Sequence, residues 1–478
     1  MATVFVKLMG QKNITGYAVS RDRKFNSPPS EQSAEPVQIQ EESQIRLDKD
    51  LQELVKKFVS SMYVYLDFVP MIMHMVPAMS YQAVLASMRT YLESNSLTTH
   101  DDDDAKIYEL DTSKYRDFSR IADHLDPSVD VQDTLSANAL MGLVAVLDVL
   151  LADLTRLVIT RHPGALENSP EQFSIRDVLS FQDYAEFKSA LITAEVEKLG
   201  HKGLDERVSW FETKMKIDPI DKGFEGWADL NEVIQRRNLI AHTRGIVSRY
   251  YMENSKKYKY DTQGISIGDK LEINFDYYRS AVERVFEFGV MLAHIVRKKM
   301  GARENPSADS YLNELGFHLL VRGDYNLACR INEFAFNARG VKERTQKMAA
   351  VNYANSLKFL DRGAETERVL SKIDWSASSS DFSVCVAAVK GDIDGVVFWM
   401  KKIGNNGTVS EAGYREWPAF FHVRKLPQFS ETYEAVFGVP YRPGPVKRDA
   451  LSEIAASLRE KTSTEYEQRG SNSSREPT

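Results

Sequence analysis

Apolar residues recur at three- and four-residue steps over long stretches of this chain, the pattern of helices that bury one face. The longest stretch, 140–161, is stopped by Pro163, which cannot continue a helix. A second covers 184–199 and ends at Gly200; a third covers 227–242; a fourth covers 277–299, with Val282, Val285, Phe286, Met291, Leu292 and Ile295 on its apolar side. Helical patterns also fill the region from 50 to 96. Within it, the run 62–79 is rich in methionine and nearly long enough to span a membrane, but Asp67, His74 and two prolines interrupt it. It reads as buried core, with a hydrophobic partner surface as the lesser option.

Period-two alternation is confined to the N-terminus. Val4-Phe5-Val6 and Gly16-Tyr17-Ala18-Val19 suit a small hairpin, and the polar stretch 21–48, carrying Pro28 and Pro29, reads as a linker. Asp101 to Asp104 read as an acidic loop, more readily solvated charge than a metal site, since four adjacent carboxylates cannot all face one ion. The C-terminal third changes character. Leu315-Gly316, Leu319, Gly323, Tyr325, Ala328 and Ala335 place small residues where two helices would touch, with Gly-Asp-Tyr at the turn. Two further helical hairpins are expected to turn at 362–364 and 390–392, irregularly spaced from the first. Residues 417–437 would cap this array, with Gly438 as the stop. The expected layout is a hairpin and linker (1–48), a helical region (49–130), a helical bundle (131–302), a helical repeat region (306–442) and a polar, partly disordered tail (443–478). The fold class is therefore mainly α.

Composition narrows the function. A net charge of −7 argues against broad coating of nucleic acid. Cys329 and Cys385 lie far apart and offer neither a disulfide framework nor a metal set, which suits a reducing cytoplasm. The N-terminus has no charged start followed by an apolar core, so no signal peptide is expected. The histidines show no ligand spacing, and no phosphate loop, nucleophile elbow or dinucleotide fingerprint is present. No metal or cofactor is expected.

The chemistry with most content is in the third helical pattern, Arg237-Asn238-Leu239-Ile240-Ala241-His242. Leu230, Val233, Ile234, Arg237, Ile240 and Ala241 fall on one face of that helix. An imidazole can move protons near neutral pH, and a guanidinium can hold two phosphate oxygens while staying charged. That pair suffices to cut RNA without a metal. Arg237 and His242 are five residues apart, about 140° around an ideal helix, so the spacing permits a shared site without compelling one. A solvated arginine and a helix-end histidine would give the same string. Asp148 and Asp153, inside the first apolar pattern, are candidates to support Arg237 from within the bundle, and a solvent-facing position suits them at least as well.

Motif, helix order and the following Gly245-Ile246-Val247 and Tyr250-Tyr251 together resemble the HEPN superfamily over about residues 135–300. The resemblance implies a helical bundle that commonly dimerises, with Arg237 and His242 acting as a metal-independent endoribonuclease and Asn238 supporting them. Dimerisation would bring two copies of the motif to one cleft and supply both an acid and a base. The resemblance also suggests a bacterial toxin or an anti-phage effector. Some members of the superfamily serve only as scaffolds, and a non-catalytic dimerisation scaffold that recruits a protein is the alternative. The C-terminal hairpins resemble a degenerate tetratricopeptide array, departing from that pattern at Asn332, and imply a surface for a protein or peptide partner. Basic and aromatic residues crowd the stretch after the motif. Arg236, Arg244, Arg249, Tyr250 and Tyr251 are the expected RNA contacts, offering charge and stacking faces, though tyrosines capping the bundle would look the same. The expected partners are RNA, a second copy across the bundle and a protein on the repeats; no membrane is expected.

Overall fold

In the computed structural model, residues 5–9, 16–20, 36–102, 105–123, 131–166, 178, 180–301 and 306–442 are described. They fall into two compact units, 1–47 and 48–478. In the first, β1 (Phe5–Met9) pairs antiparallel with β2 (Gly16–Ser20), Met9 facing Gly16 across the turn. This is the expected hairpin. The expected linker is different. Residues 21–35 lie outside the described residues, and the remainder begins α1 (Pro36–Tyr63), because its Gln, Glu and Lys residues are good helix formers that run directly into an apolar face.

That face, Leu51, Val55, Phe58, Val59 and Met62, is buried in the second unit. A π-helical turn (Val64–Phe68) follows, then α2 (Val69–Asn95). Here the expectation of buried core is corrected. Within 62–79 Met62, Pro70 and Met73 are buried, whereas Val64, Phe68, Ile72, Val76 and Met79 are exposed, Phe68 by 57%. Periodicity reports apolar side chains but not which body covers them. The acidic run is also not a simple loop. β3 (Ser96–Asp102) and β4 (Ala105–Leu110) form a hairpin in which Asp101 pairs with Lys106, while Asp103 and Asp104 lie outside the described residues. Helix α3 (Thr112–Ala122) follows, capped by the Asp111 carboxylate accepting from Ser113 N–H.

The core of the molecule is α4 (Val131–Arg161), whose Leu140, Leu143, Val144, Leu147, Leu150, Leu154 and Val158 are buried. It is long and apolar enough to cross a membrane by length and composition, yet it packs within the bundle. Around it stand α5 (Tyr184–Gly200), α6 (Leu204–Met215), α7 (Trp227–Thr243), α8 (Arg249–Tyr258) and α9 (Phe275–Met300). Helix α4 packs on α5, α7 and α9, and α8 packs on α7.

The chain then folds into helical hairpins: α10 (Pro306–Arg322) with α11 (Tyr325–Asn337), α12 (Glu343–Phe359) with α13 (Gly363–Ser371), and α14 (Ser380–Lys390) with α15 (Ile393–Ile403). They turn near Gly323, Asp361 and Gly391, which have positive φ; the middle turn precedes the expected 362–364, since Gly363 already begins α13. Short α16 (Glu411–Glu416) and α17 (Pro427–Phe437) close the array, and α17 stops at Gly438 with φ 71°. Asn332 fits because its amide reaches Gly316 O at 3.4 Å and Ser356 Oγ at 3.0 Å between helices. Both cysteines are buried and free, and the expected tail from 443 lies outside the described residues.

Candidate functional site

Helix α7 carries the Arg/His pair. Leu230 and Val233 are buried as their spacing predicts, but so is Leu239, and Ala241 is exposed, so the buried face is rotated from the one expected. Leu239 packs with Val247, Tyr251 and Tyr260 in a small core beneath α8. That core anchors the chain leaving the motif. After Thr243, Arg244 takes φ 55° and Gly245 φ 86°, ending the helix. The following strand-like segment bonds to 268–271: Val247 N–H to Asp269 O at 2.8 Å, and Leu271 N–H to Gly245 O at 2.9 Å. A Cβ at Gly245 would lie 3.2 Å from Leu271 O, so both φ and space favour glycine there.

Arg237 points back into the bundle. Its Nη2 donates to Asp148 Oδ2 on α4 at 3.1 Å, the support anticipated for one of the two aspartates. Asp153 instead pairs with Arg156 on its own helix. The other Asp148 oxygen accepts from Arg207 Nη1 at 2.5 Å, and Arg207 Nη2 reaches Asp148 O at 3.2 Å. Two guanidiniums thus converge on one carboxylate, leaving formal charge of one positive unit. The Asp148 side chain is 40% exposed, Arg237 is 28% exposed, and Arg237 Nε is buried without an acceptor. Asn238 is half-buried beside it, and His242 is exposed in the last helical turn.

The expected RNA contacts separate into two groups. Arg244 and Arg249 are exposed, and Tyr250 is 66% exposed. Arg236 and Tyr251 are inside. Arg236 donates to Glu232 Oε1 at 2.7 Å and Glu272 O at 2.9 Å, and its guanidinium lies 3.8 Å over the Tyr277 ring. Tyr251, 1% exposed, donates to Glu232 Oε1 at 2.8 Å, while Tyr277 donates to Oε2 at 2.6 Å. Burial first, then the Glu232 charge, pushes both phenols far above their ordinary range. These residues offer a ligand no free face; they join α7, α8 and α9. The sequence signal for Glu232 was weak. For Arg207 one existed, since it sits at helical spacing between Leu204 and Phe211, and a buried arginine needs an acid.

The arrangement gives an oriented, half-exposed guanidinium and an exposed imidazole late on one helix, with two further arginines and a tyrosine just beyond. Compared with known proteins, the chain matches no family model, no curated protein and no solved structure.

Proposed function

We propose that the chain is a metal-independent endoribonuclease of the HEPN type, a cytoplasmic bacterial toxin or anti-phage effector whose C-terminal helical hairpins receive a protein partner. The observation that carries the reading is Arg237 clamped through Asp148 by Arg207, on the same helix as an exposed His242. In this reading His242 takes the proton of a ribose 2′-hydroxyl as that oxygen attacks the adjacent phosphorus. Arg237 neutralises charge gathering on the phosphoryl oxygens. The 5′-oxygen leaves with a proton from His242 of a second copy, giving a 2′,3′-cyclic phosphate and a 5′-hydroxyl. Asn238 supports the pair, and Arg244, Arg249 and Tyr250 grip the strand.

The second reading, a non-catalytic HEPN scaffold, is favoured by one specific feature: Arg237 already has a carboxylate partner in Asp148. Growth and RNA integrity in cells expressing wild type beside His242→Ala and Arg237→Ala separate the two. The ribonuclease predicts arrest with fragmented RNA in wild type and a fall of about 10²-fold or more in cleavage for each variant. Cleavage by either variant at the wild-type rate would remove the assigned site. A wild type that binds its partner and cleaves no RNA would leave the scaffold.

A further inference from the structure

The first helices of the three C-terminal hairpins, α10, α12 and α14, line a cavity of about 460 Å³, together with Trp417 and Pro418. Its walls are apolar and aromatic, with Phe317, Met348 and Phe382 prominent. Its polar groups are unusual. Asn313 Oδ1, Asn355 Oδ1 and Asp381 Oδ1, one from each helix, are shut off from water and have no hydrogen-bond donor among the described residues. Asn313 and Asn355 are each 2% exposed. The orientation of Asn313 is fixed, because its amide nitrogen donates to Thr345 O at 3.2 Å and Asp309 O at 3.4 Å. Its oxygen is therefore an acceptor left over. An acceptor stripped of water and given no donor is unfavourable, and such acceptors around one cavity call for a ligand that brings donors.

We infer that this cavity binds an arginine side chain presented by a partner polypeptide. The inference rests on the hairpin region being a partner surface and not on the ribonuclease. A guanidinium carries donors and no acceptor, its planar face stacks on aromatic rings, and its methylene stem suits apolar walls. The charged side chains lining the cavity, Glu314, Asp381 and Arg344, sum to one negative unit. The rim already holds one guanidinium in this way. Arg344 Nη2 lies 3.3 Å from Asp381 Oδ2 with its guanidinium 5.3 Å from the centre of the Phe382 ring, yet its side chain is 68% exposed and leaves Oδ1 without a donor. Rotation of the Asn355 amide and the Asp381 carboxylate brings their buried oxygens to an entering ligand, while Asn313 keeps its place.

The test titrates the full-length protein calorimetrically with end-capped Gly/Ser nonapeptides carrying one central Arg, Lys, Leu or Glu. The Arg peptide is expected to bind at least tenfold more tightly than the others. Asp381→Asn, checked for an unchanged melting profile, should remove that preference, and Arg344→Ala should strengthen Arg-peptide binding by releasing Asp381. Tighter binding of the Leu or Glu peptide would overturn the arginine assignment while keeping a partner surface. Binding of none of the four would overturn the partner surface itself. An Asp381→Asn protein with wild-type preference, or an Arg344→Ala protein with weaker binding, would overturn the site.

Discussion

At Gly289, in the middle of α9, one more carbon has no room. A Cβ there would lie 2.3 Å from Phe58 Cζ on α1 and 2.9 Å from Leu150 Cδ2 on α4, and both side chains are buried. Gly289→Ala is expected to destabilise the protein by about 1–3 kcal/mol through overpacking, read as a lower denaturation midpoint. An unchanged midpoint would show that the crossing of these helices is looser than described. Five residues along the same helix, His294 is buried and held neutral. Burial first, then Lys298 and Arg297, lowers its pKa to about 3. Asp309 Oδ1 lies 3.5 Å from the ring, and Lys298 takes its other oxygen at 2.7 Å. The unfolded chain binds a proton near pH 6.5 that the folded chain refuses, so this group's stabilisation is complete above 6.5 and is lost as pH falls toward 3. The slope is at most about 1.4 kcal/mol per pH unit. His294→Gln should therefore melt with a shallower loss between pH 6.5 and 4 than wild type; parallel curves would exclude the mechanism. Individual partners were legible unevenly. Asp148 and Asp153 stood out alike as acids in an apolar helix and only Asp148 holds Arg237, whereas the burial of Tyr251 and Arg236 was hidden, because tyrosine and arginine suit an RNA groove and a helix interface equally.

Elements with chemical punctuation were the readable ones. Helix α5 begins where Asp183 accepts from Glu186 N–H at 2.8 Å and ends at Gly200, and α4 stops at the expected proline. Where no such signal existed the reading failed: the acidic stretch runs into the paired strands β3 and β4, and the Gln/Glu-rich start of α1 looked like linker. Helix α2 shows a further limit. Its composition predicts removal from water, yet in this chain its ridge faces outward, a property of the surroundings and not of the helix. Exposure at Phe68 and Ile72 has a direct consequence. The double substitution Phe68→Ser, Ile72→Ser should change stability by less than about 0.5 kcal/mol per site, as for open surface positions. It should also weaken binding of a hydrophobic dye. A large fall in the denaturation midpoint of the dilute protein would mean that these side chains are covered within a single chain.

Across the whole molecule, the expected boundary near 302–306 joins more than it separates, since 48–478 is one compact unit. Arg297 donates to both Asp48 oxygens, at 2.7 and 2.9 Å, and to Ser307 Oγ at 2.9 Å. Arg322 on α10 reaches Asp67 at 2.7 Å and lies 4.2 Å over the Tyr63 ring. A third joint is Arg330 on α11, which donates to Glu283 at 2.8 Å and Glu287 at 2.7 Å on α9. No helical pattern shows that two glutamates on one element await an arginine more than forty residues later. Burial raises the Glu287 pKa even with Arg330 and Arg284 beside it, so removing one arginine leaves a poorly solvated carboxylate. Arg330→Ala is expected to lose about 2 kcal/mol, less than for a fully enclosed pair because the arginine is a quarter exposed. Adding Glu283→Gln and Glu287→Gln should restore part of that loss, since the orphaned charges go with their partner. If Arg330→Ala alone melts as wild type, this joint adds nothing measurable and the remaining contacts hold the bundle and the hairpins together. The same joint bears on any shortened chain: ending the protein at residue 301 removes Arg330 from both glutamates, and the bundle should then unfold more readily than full-length protein carrying Arg330→Ala, whose α11 still covers α9.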